Sequence, residues 1–422
     1  MERGNRCNDE PPDGLSIARS NNNLGMRMYR SLINHVPQNS ENTIVSPYSL
    51  LSVLTLAMLG TKGITKNQIR DALHLPCNDE GSYYGAYLNT MNSLFHQKED
   101  HENNLDKQFT LEAANRIYVD KSIDLIESYK QQSSKFLNAE PIKAPFSEDA
   151  ELARARINEW VKIKTKNKIT NMLVKNTVNT KTKMVLVNAM YLNASWSVPF
   201  SSSSRKRFYN PVVDFPSASE TSAHFKIVDM MTVIGKFVTG SLPSPFDSRL
   251  LVLPYKSDSI NAYMLIILPN NSSSGSNLEE TEEKITRTPN GELSRMITNL
   301  YEQHESSHIL TRVEMPKFRI ETEVNLQPTL VEIGVKSLFD PNTYNFSAMI
   351  KDGSSGLKVD SILQKAFIST DLHGTEAAAA TSTISKTSFP SQAQNDFVID
   401  RPFIFMIRAN GINLFLGKVS RL

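Results

Sequence analysis

The chain has few cysteines and no long apolar run. Two cysteines, Cys7 and Cys77, occur among 422 residues, so a disulfide framework does not hold the fold together. No stretch approaches the ~20 apolar residues of a membrane-spanning helix. The first residues also lack the apolar core of a secretory signal. We therefore expect a soluble protein without a membrane span, either leaderless or shown without its leader.

A strong net charge is also absent. The 46 basic and 44 acidic residues leave a formal charge of +2, which indicates neither a nucleic-acid partner nor an anionic membrane surface. Hydrophobic residues make up 40% and charged residues 21%, a profile typical of globular proteins. We expect a monomer that recognises its partner through a local feature.

The pattern of apolar residues changes along the chain. Leu24, Met28 and Leu32 recur at helical spacing, whereas short Val-, Ile- and Tyr-rich runs begin at Met184. Helices first and strands later, without βαβ alternation, predict an α+β fold in one large domain. We expect a flexible tail over 1–20, the domain over 21–422, and a polar surface insertion over 268–291.

One segment near the C-terminus is unusual for a compact domain. Residues 374–392, GTEAAAATSTISKTSFPSQ, lie between two strand-like segments and carry no large apolar anchor before Phe389. A structureless loop longer than ~15 residues is uncommon and is usually functional or disordered. A flexible linker is the alternative explanation on composition alone.

Alternation makes this segment a potential strand. Successive side chains of a strand point to opposite faces, and here one face would hold only small residues. That face comprises Thr375, Ala377, Ala379, Thr381, Thr383 and Ser385. The other face comprises Glu376, Ala378, Ala380, Ser382 and Ile384. No proline precedes Pro390, so the pattern predicts a loop that could become a central strand.

Motifs along nearly the whole chain are similar to those of the serpin family. GTEAAAATS resembles the hinge of inhibitory serpins, and NTIVSPYSLLSVLTLAMLGTKGITKNQI resembles their Ser-Pro-x-Ser helix. VLVNAMYLNASWSVPF, VEMPKFRIETEVNL and DFVIDRPFIFMIRANGINLFLGKVS follow in the family's order. The resemblance extends over about residues 24–419.

The resemblance implies a metastable domain of three β-sheets and about eight or nine helices, with an exposed reactive-centre loop over about 372–395. It implies a suicide inhibitor, not an enzyme: a serine protease attacks the loop, and the cut loop inserts into the main sheet while still bound covalently to the protease. The hinge would comprise Gly374, Thr375, Glu376, Ala377, Ala378, Ala379, Ala380 and Thr381. No cofactor and no metal are expected. A non-inhibitory serpin, serving as carrier or chaperone, is the alternative.

The family's spacing from Gly374 puts the scissile bond at Ser388-Phe389. Ser388 suits a small elastase-like pocket. Phe389 suits a chymotrypsin-like pocket, but Pro390 would then follow the cut bond, which most serine proteases accept poorly. Lys386-Thr387, two residues earlier, would suit a trypsin-like enzyme. The sequence favours elastase- or chymotrypsin-type targets.

The resemblance also assigns residues that support opening of the main sheet. Ser46, Ser49 and Asn188 match the family's polar cluster, Gln364 stands where the family usually has histidine, and Trp196 matches a tryptophan near the loop's entry. Helix capping and ordinary core packing are the alternatives. Because glutamine cannot charge, pH sensing through position 364 is not expected.

Three further patterns carry weaker predictions. Lysines of KIKTKNK, 162–168, could bind a polyanion, although a solvated helix face is the favoured interpretation. His304-Glu305-Ser306-Ser307-His308 fits the HExxH motif of zinc peptidases, but a helix is expected to end and a strand to begin there. Four Asn-x-Ser sequons slightly favour an extracellular glycoprotein, starting at Asn193, Asn270, Asn271 and Asn345.

Overall fold

A computed structural model provides the fold of this chain. It describes residues 13–35, 42–75, 80–95, 109–137, 139, 141–209, 225–272, 275–276, 278–288, 292–293, 295–297, 299, 309–351, 359–375 and 393–422. Within these ranges helices dominate the first hundred residues and strands dominate after Met184, as the hydrophobic pattern predicts.

Eight helices have defined bounds in the described part of the chain. They are α1 (Gly14–His35), α2 (Pro47–Gly60), α3 (Gly63–Ala72), α4 (Glu80–Phe95), α5 (Glu127–Leu137), α6 (Ala150–Lys164), α7 (Leu278–Arg287) and α8 (Gln327–Glu332).

Seventeen strands have defined bounds in the same part of the chain, and their lengths range from 2 to 18 residues. They are β1 (Thr43–Val45), β2 (Phe109–Asp120), β3 (Ile142–Ala144), β4 (Met184–Ser195), β5 (Ser202–Tyr209), β6 (Phe225–Leu242), β7 (Ser248–Pro254), β8 (Ala262–Pro269), β9 (Asn271–Ser272), β10 (Gly275–Ser276), β11 (Ile309–Pro316), β12 (Arg319–Asn325), β13 (Ser361–Ser369), β14 (Gly374–Thr375), β15 (Asn395–Val398), β16 (Phe403–Ala409) and β17 (Ile412–Val419).

The main sheet has the order β12-β13-β4-β2-β3, and β14 adds to the end of β4. β4 pairs antiparallel with β2, whereas β4 and β13 run parallel. β4 is buried on both faces from Met184 to Leu192, as expected of a strand with a near-continuous apolar run. The parallel pair therefore forms a seam in the middle of the main sheet.

The remaining strands form two sheets that share one long strand. The first part of β6 pairs with β5 and β11, and its last five residues pair with β7. β15 adds to β11, while β8, β16, β17 and β1 continue from β7. Apart from the small β9-β10 ribbon, the described residues thus form the α+β arrangement that the hydrophobic pattern predicts, with the three sheets that the resemblance implies.

Two helices cover the two faces of the main sheet. α2 is buried along its whole length and packs beneath the sheet in the larger core. α6 lies on the outer face, where Ala153, Ile157 and Val161 form a second apolar cluster with the sheet. Any strand added at the seam would therefore enter a packed interior.

The structure corrects two boundaries that we expected from composition. α1 begins at Gly14, inside the expected tail of 1–20, because Asp13 and Ser16 cap it reciprocally and Ile17 packs in the core. The expected surface loop over 268–291 contains α7, because Leu278 and Ile285 lie on one buried helix face. None of the described helices is long and apolar enough to cross a bilayer.

Candidate functional site

The seam between β4 and β13 is closed over seven residue pairs. Ser361 lies opposite Val185 at one end and Phe367 lies opposite Tyr191 at the other. Parallel ladders have slanted hydrogen bonds and are slightly less stable per residue than antiparallel ones. The seam is therefore a line along which the interior of the main sheet could part; the other parallel pairing of this sheet, β2 with β3, lies at its edge.

The first two hinge residues already pair with the sheet. Gly374 lies opposite Ser195 and Thr375 opposite Ala194, antiparallel to β4, and a bridge joins Thr375 to Thr370 beyond the end of β13. These pairs form a short strand at the upper end of the seam. The hinge thus starts where a new central strand would start.

Thr375 is buried and hydrogen-bonded at this entry. Its hydroxyl lies 2.7 Å from the phenolic oxygen of Tyr255, whose ring stacks on Trp196 at 4.7 Å between centroids. Burial raises the pKa of the Tyr255 phenol, so it stays protonated and available as a donor. Trp196 lies next to the start of the hinge, where its backbone N–H donates to the His373 carbonyl at 2.8 Å, and it also packs in the core.

Asp371 shapes the turn that leads into the hinge, a role that motif comparison missed. Its carboxylate accepts hydrogen bonds from the backbone N–H groups of His373 at 2.7 Å and Gly374 at 3.0 Å. Its carbonyl oxygen accepts from Trp196 Nε1 at 3.1 Å. The Asp-x-x-Gly spacing is typical of an Asx turn and could have identified this residue.

Beneath the seam, Gln364 joins β13 to the start of α2. Its amide oxygen accepts from the Ser46 N–H at 3.0 Å, and its amide nitrogen donates to the Ser46 carbonyl at 2.9 Å. Ser46 is also the N-cap of α2, because its hydroxyl accepts from the Ser49 N–H at 3.1 Å. Three of the predicted support residues therefore lie together, and the capping alternative also holds for Ser46.

Asn188 completes a polar row across three strands. It lies opposite Asn115 of β2 on one side and Gln364 of β13 on the other. Asn188 is fully buried, yet among the described residues neither polar atom of its side chain has a hydrogen-bond partner. An unsatisfied buried amide costs free energy, so this position is poised to gain a partner.

Comparison with known proteins identifies the family. A sequence model described as serpin (serine protease inhibitor) matches residues 19–422. The chain belongs to the serpin family. It is 30% identical over 408 residues to leukocyte elastase inhibitor from Sus scrofa, covering 96% of this chain and 99% of that relative. It is 31% identical to human serpin B8, with 90% and 93% covered.

Solved structures agree with this serpin assignment. Serpin48 from the insect Tenebrio molitor, described as a highly specific serpin, superposes with a TM-score of 0.78 at 28% identity. The match covers 97% of this chain and 98% of that structure. The α+β serpin fold is therefore established from both sequence and structure.

The rest of the predicted reactive-centre loop lies outside the described residues. This holds for the hinge residues after Thr375 and for both candidate scissile bonds: Glu376, Ala377, Ala378, Ala379, Ala380, Thr381, Lys386, Thr387, Ser388 and Phe389. The roles assigned to them remain predictions.

The two competing site predictions receive no support from the described part of this serpin. The HExxH motif at 304–308 lies outside it, and within it no three His, Cys, Asp or Glu side chains cluster to hold a metal. Of the lysines in 162–168, Lys162 pairs with Glu159 at 3.3 Å and Lys166 with Glu112 at 3.3 Å. Neutralised lysines attract a polyanion less strongly, so the solvated helix end remains the favoured interpretation.

Proposed function

We propose that this serpin inhibits serine proteases as a suicide substrate. The catalytic serine of the protease attacks the carbonyl carbon of Ser388 and expels the amino group of Phe389. The acyl group of Ser388 is then joined to the protease by an ester. Insertion of the severed loop at the seam would deform the protease before water can hydrolyse that ester.

The observation that carries the proposal is the register of the hinge. Thr375 lies opposite Ala194. If this antiparallel pairing continued, Thr381, six residues after Thr375, would lie opposite Asn188, six residues before Ala194. The bridge from Thr375 to Thr370 gives the same residue, Thr381, opposite Gln364. Two independent pairings thus converge on one register, with Thr381 between the two polar side chains of the row.

This register also decides which face of the loop would enter the core. Met190 and Ala194 of β4 belong to the core beneath the sheet, and the buried side chain of Thr375 is hydrogen-bonded to Tyr255 of the same core. Residues directly opposite in an antiparallel pair point to the same side. The small-residue face would therefore be buried, and the face starting with Glu376 would lie outward.

The free energy available is large enough to distort an active site. β4 has 12 residues, and a full strand opposite them would run from Gly374 to Ser385. About a dozen new ladder hydrogen bonds at ~0.5 to 1.5 kcal/mol net each supply on the order of 10 kcal/mol. At ~3.4 Å per residue the protease would be carried about 40 Å along the sheet.

Target class follows from the residue before the cut bond. Ser388 has a small side chain that fits a shallow elastase-like pocket, and the pig relative carries the name leukocyte elastase inhibitor. We therefore propose elastase-type enzymes first, chymotrypsin-type enzymes second, and a trypsin-type enzyme if the cut falls after Lys386.

A panel of elastase, chymotrypsin and trypsin tests this proposal. We expect a covalent band that survives boiling in SDS, and a released C-terminal peptide that begins at Phe389 by mass spectrometry. The melting temperature of the nicked protein should rise sharply. Cleavage without a covalent band or a rise in melting temperature would instead indicate a non-inhibitory serpin. Chelator-sensitive turnover would indicate a zinc peptidase.

A further inference from the structure

α6 carries two exposed apolar side chains on the face that is turned away from the main sheet. Leu152 is 40% exposed and Ile163 is 65% exposed. The opposite face of the same helix, with Ala153, Ile157 and Val161, is the one that packs on the sheet. Single exposed apolar residues are common on protein surfaces. The unusual feature of α6 is that both of these residues lie on one stripe, with a pair of opposite charges between them.

This stripe has the spacing of a helix–helix contact. It consists of Leu152, Arg156, Glu159 and Ile163, which follow one another at intervals of four, three and four residues. All four side chains are exposed. At 3.6 residues per turn they fall within about 60° of one another around the helix. Alternating steps of four and three residues are the spacing by which two helices pack side by side, so the stripe can accept a second helix along its length.

The stripe is complementary to itself in the antiparallel direction. Its centre lies midway between Arg156 and Glu159, and Leu152 and Ile163 lie equally far from that centre. If a two-fold axis through this centre relates two copies, Arg156 meets Glu159 of the second copy and Leu152 meets Ile163. Each of these contacts then occurs twice, as in any two-fold interface. A parallel arrangement would instead place each charge against its like.

The charges of α6 favour the same direction. Glu151 lies in its first turn, whereas Lys162 and Lys164 lie in its last turn, so an antiparallel pair would place each acidic end beside the basic end of the second copy. Glu159 pairs with Lys162 of its own chain at 3.3 Å. Arg156 makes no ion pair with any residue that the structure describes. Its guanidinium is therefore available to a carboxylate from outside the chain.

We infer that the exposed stripe of α6 is a self-association surface, on which a second copy of this chain docks its own α6 in the antiparallel direction. The contact would extend over about 16 Å of each helix. Two faces of this length bury less than the ~1,200 Å² of stable complexes, so we expect a weak dimer that forms only in concentrated protein. The monomer expected from the sequence would prevail in dilute solution. The inference does not rest on the proposed function, since no residue of the reactive-centre loop takes part in it.

Charge reversal tests the contact between Arg156 and Glu159. Arg156→Glu opposes two glutamates and Glu159→Arg opposes two arginines, so each single variant should weaken dimerisation at least about tenfold. The double variant Arg156→Glu/Glu159→Arg exchanges the charges and should restore the dissociation constant to within about threefold of wild type. Arg19→Glu, which makes the same charge change at an exposed position of α1, is the matched control and should leave dimerisation unchanged.

Sedimentation equilibrium over about 5 to 500 µM protein gives the dissociation constants, and melting temperatures show whether each variant is folded. A wild-type chain that stays monomeric at the highest concentration would overturn the inference. A dimer that neither single charge reversal weakens would also overturn it, because the two copies would then meet through another surface.

Cysteine pairs test the direction of the contact. In a Cys7→Ser/Cys77→Ser background, the double variant Leu152→Cys/Ile163→Cys should form disulfide-linked dimers on mild oxidation. Within one helix the two positions are about 16 Å apart, too far for a disulfide, whereas they meet between antiparallel copies. Leu152→Cys alone and Ile163→Cys alone should give few linked dimers. Efficient linking by either single variant would indicate a parallel pair and would overturn the antiparallel arrangement.

Discussion

A Cβ atom added to Gly374 would lie 2.1 Å from the carbonyl oxygen of Ala194 and 2.8 Å from the Cα atom of Ser195. Glycine is thus required here by the close approach of two backbones. The hinge can seat its first residue against β4 only because position 374 has no side chain.

The first prediction is that Gly374→Ala impairs seating of the hinge. The backbone must shift, so we expect a larger share of the inhibitor to be cleaved as a substrate and a higher ratio of inhibitor to protease at complete inhibition. Gly85→Ala is the matched control, because nothing lies within 4 Å of a Cβ there. Within α4 this change should be neutral or stabilise by about 1 kcal/mol. Wild-type stoichiometry in Gly374→Ala would contradict the prediction.

The second prediction concerns the two faces of the inserted loop. Thr375→Arg introduces a charge into a site that is buried and bonded to Tyr255, so the variant should be cleaved as a substrate without forming a covalent band. Glu376→Arg, on the face predicted to lie outward, should keep most of the inhibition. The measurement is the band pattern on SDS gels over a range of ratios. A covalent yield of Thr375→Arg equal to wild type would rule out the proposed register.

The third prediction tests the partner of Asn188. Thr381→Val keeps the shape but removes the hydroxyl proposed to bond Asn188, so the cleaved protein should lose about 1 to 3 kcal/mol of unfolding free energy. The uncut protein should be unaffected. Thr383→Val, opposite the apolar Leu186 in the same register, serves as control and should leave both forms unchanged. Denaturant unfolding of cut and uncut protein measures the difference.

The fourth prediction concerns spontaneous inactivation of the uncut inhibitor. If the uncut loop inserts as far as Ser385, the nine residues 386–394 must connect the far end of the inserted strand to β15. Fully extended they span about 30 Å, which is less than the ~40 Å length of the inserted strand, so β15 must detach. Arg312 holds β15 through two bonds to Asp396, at 3.0 and 2.8 Å.

Asp396→Asn should therefore shorten the lifetime of inhibitory activity on warming. Because the pair is partly exposed, we expect a two- to fivefold effect of about 1 kcal/mol or less. Asp229→Asn, which removes the exposed partner of Arg205, is the control and should leave the lifetime unchanged. The decay of inhibition during incubation without protease gives the rate.

The fifth prediction is a pH dependence of stability. Burial acts to raise the pKa of Asp120, but hydrogen bonds from Ser122 and Ser147 outweigh it and lower the pKa from 3.8 to about 2. A depressed pKa contributes stability above pH 3.8 that is lost as the pH falls towards 2. Asp120→Asn should thus cost about 2 kcal/mol at pH 6 and less at pH 2.5, by denaturant unfolding. Asp124→Asn, which removes an exposed carboxylate, is the control for the substitution itself.

Much of the fold could be predicted from the sequence, because apolar periodicity and family motifs cover most of the chain. The composition misled at α7, where Ser, Gly and Asn before Leu278 indicated a loop although two apolar residues two turns apart sufficed for a buried face. The exposed start of α1 was also missed, since its capping residues lie in a polar context.

The candidate site was only partly accessible from the sequence. Alternation separated the loop into two faces, but the choice of the inward face required the pairing of Thr375 with Ala194, a contact between residues 181 positions apart. Tyr255 looked like an ordinary residue at the end of a strand. Its bond to Thr375 joins residues 120 positions apart, a tertiary contact that local patterns do not encode.

The length of β4 determines how many residues of the reactive-centre loop the main sheet can accept. The 12 residues of β4 begin at Met184, which would lie opposite Ser385 of the inserted loop. The three residues from Lys386 to Ser388 would then extend beyond the sheet and connect it to the captured protease. Removing one residue between Thr375 and Thr381 would move every later side chain to the opposite face of the inserted strand. Removing two residues would keep every later side chain on its original face, but the protease would stop about 7 Å nearer the hinge end of the sheet.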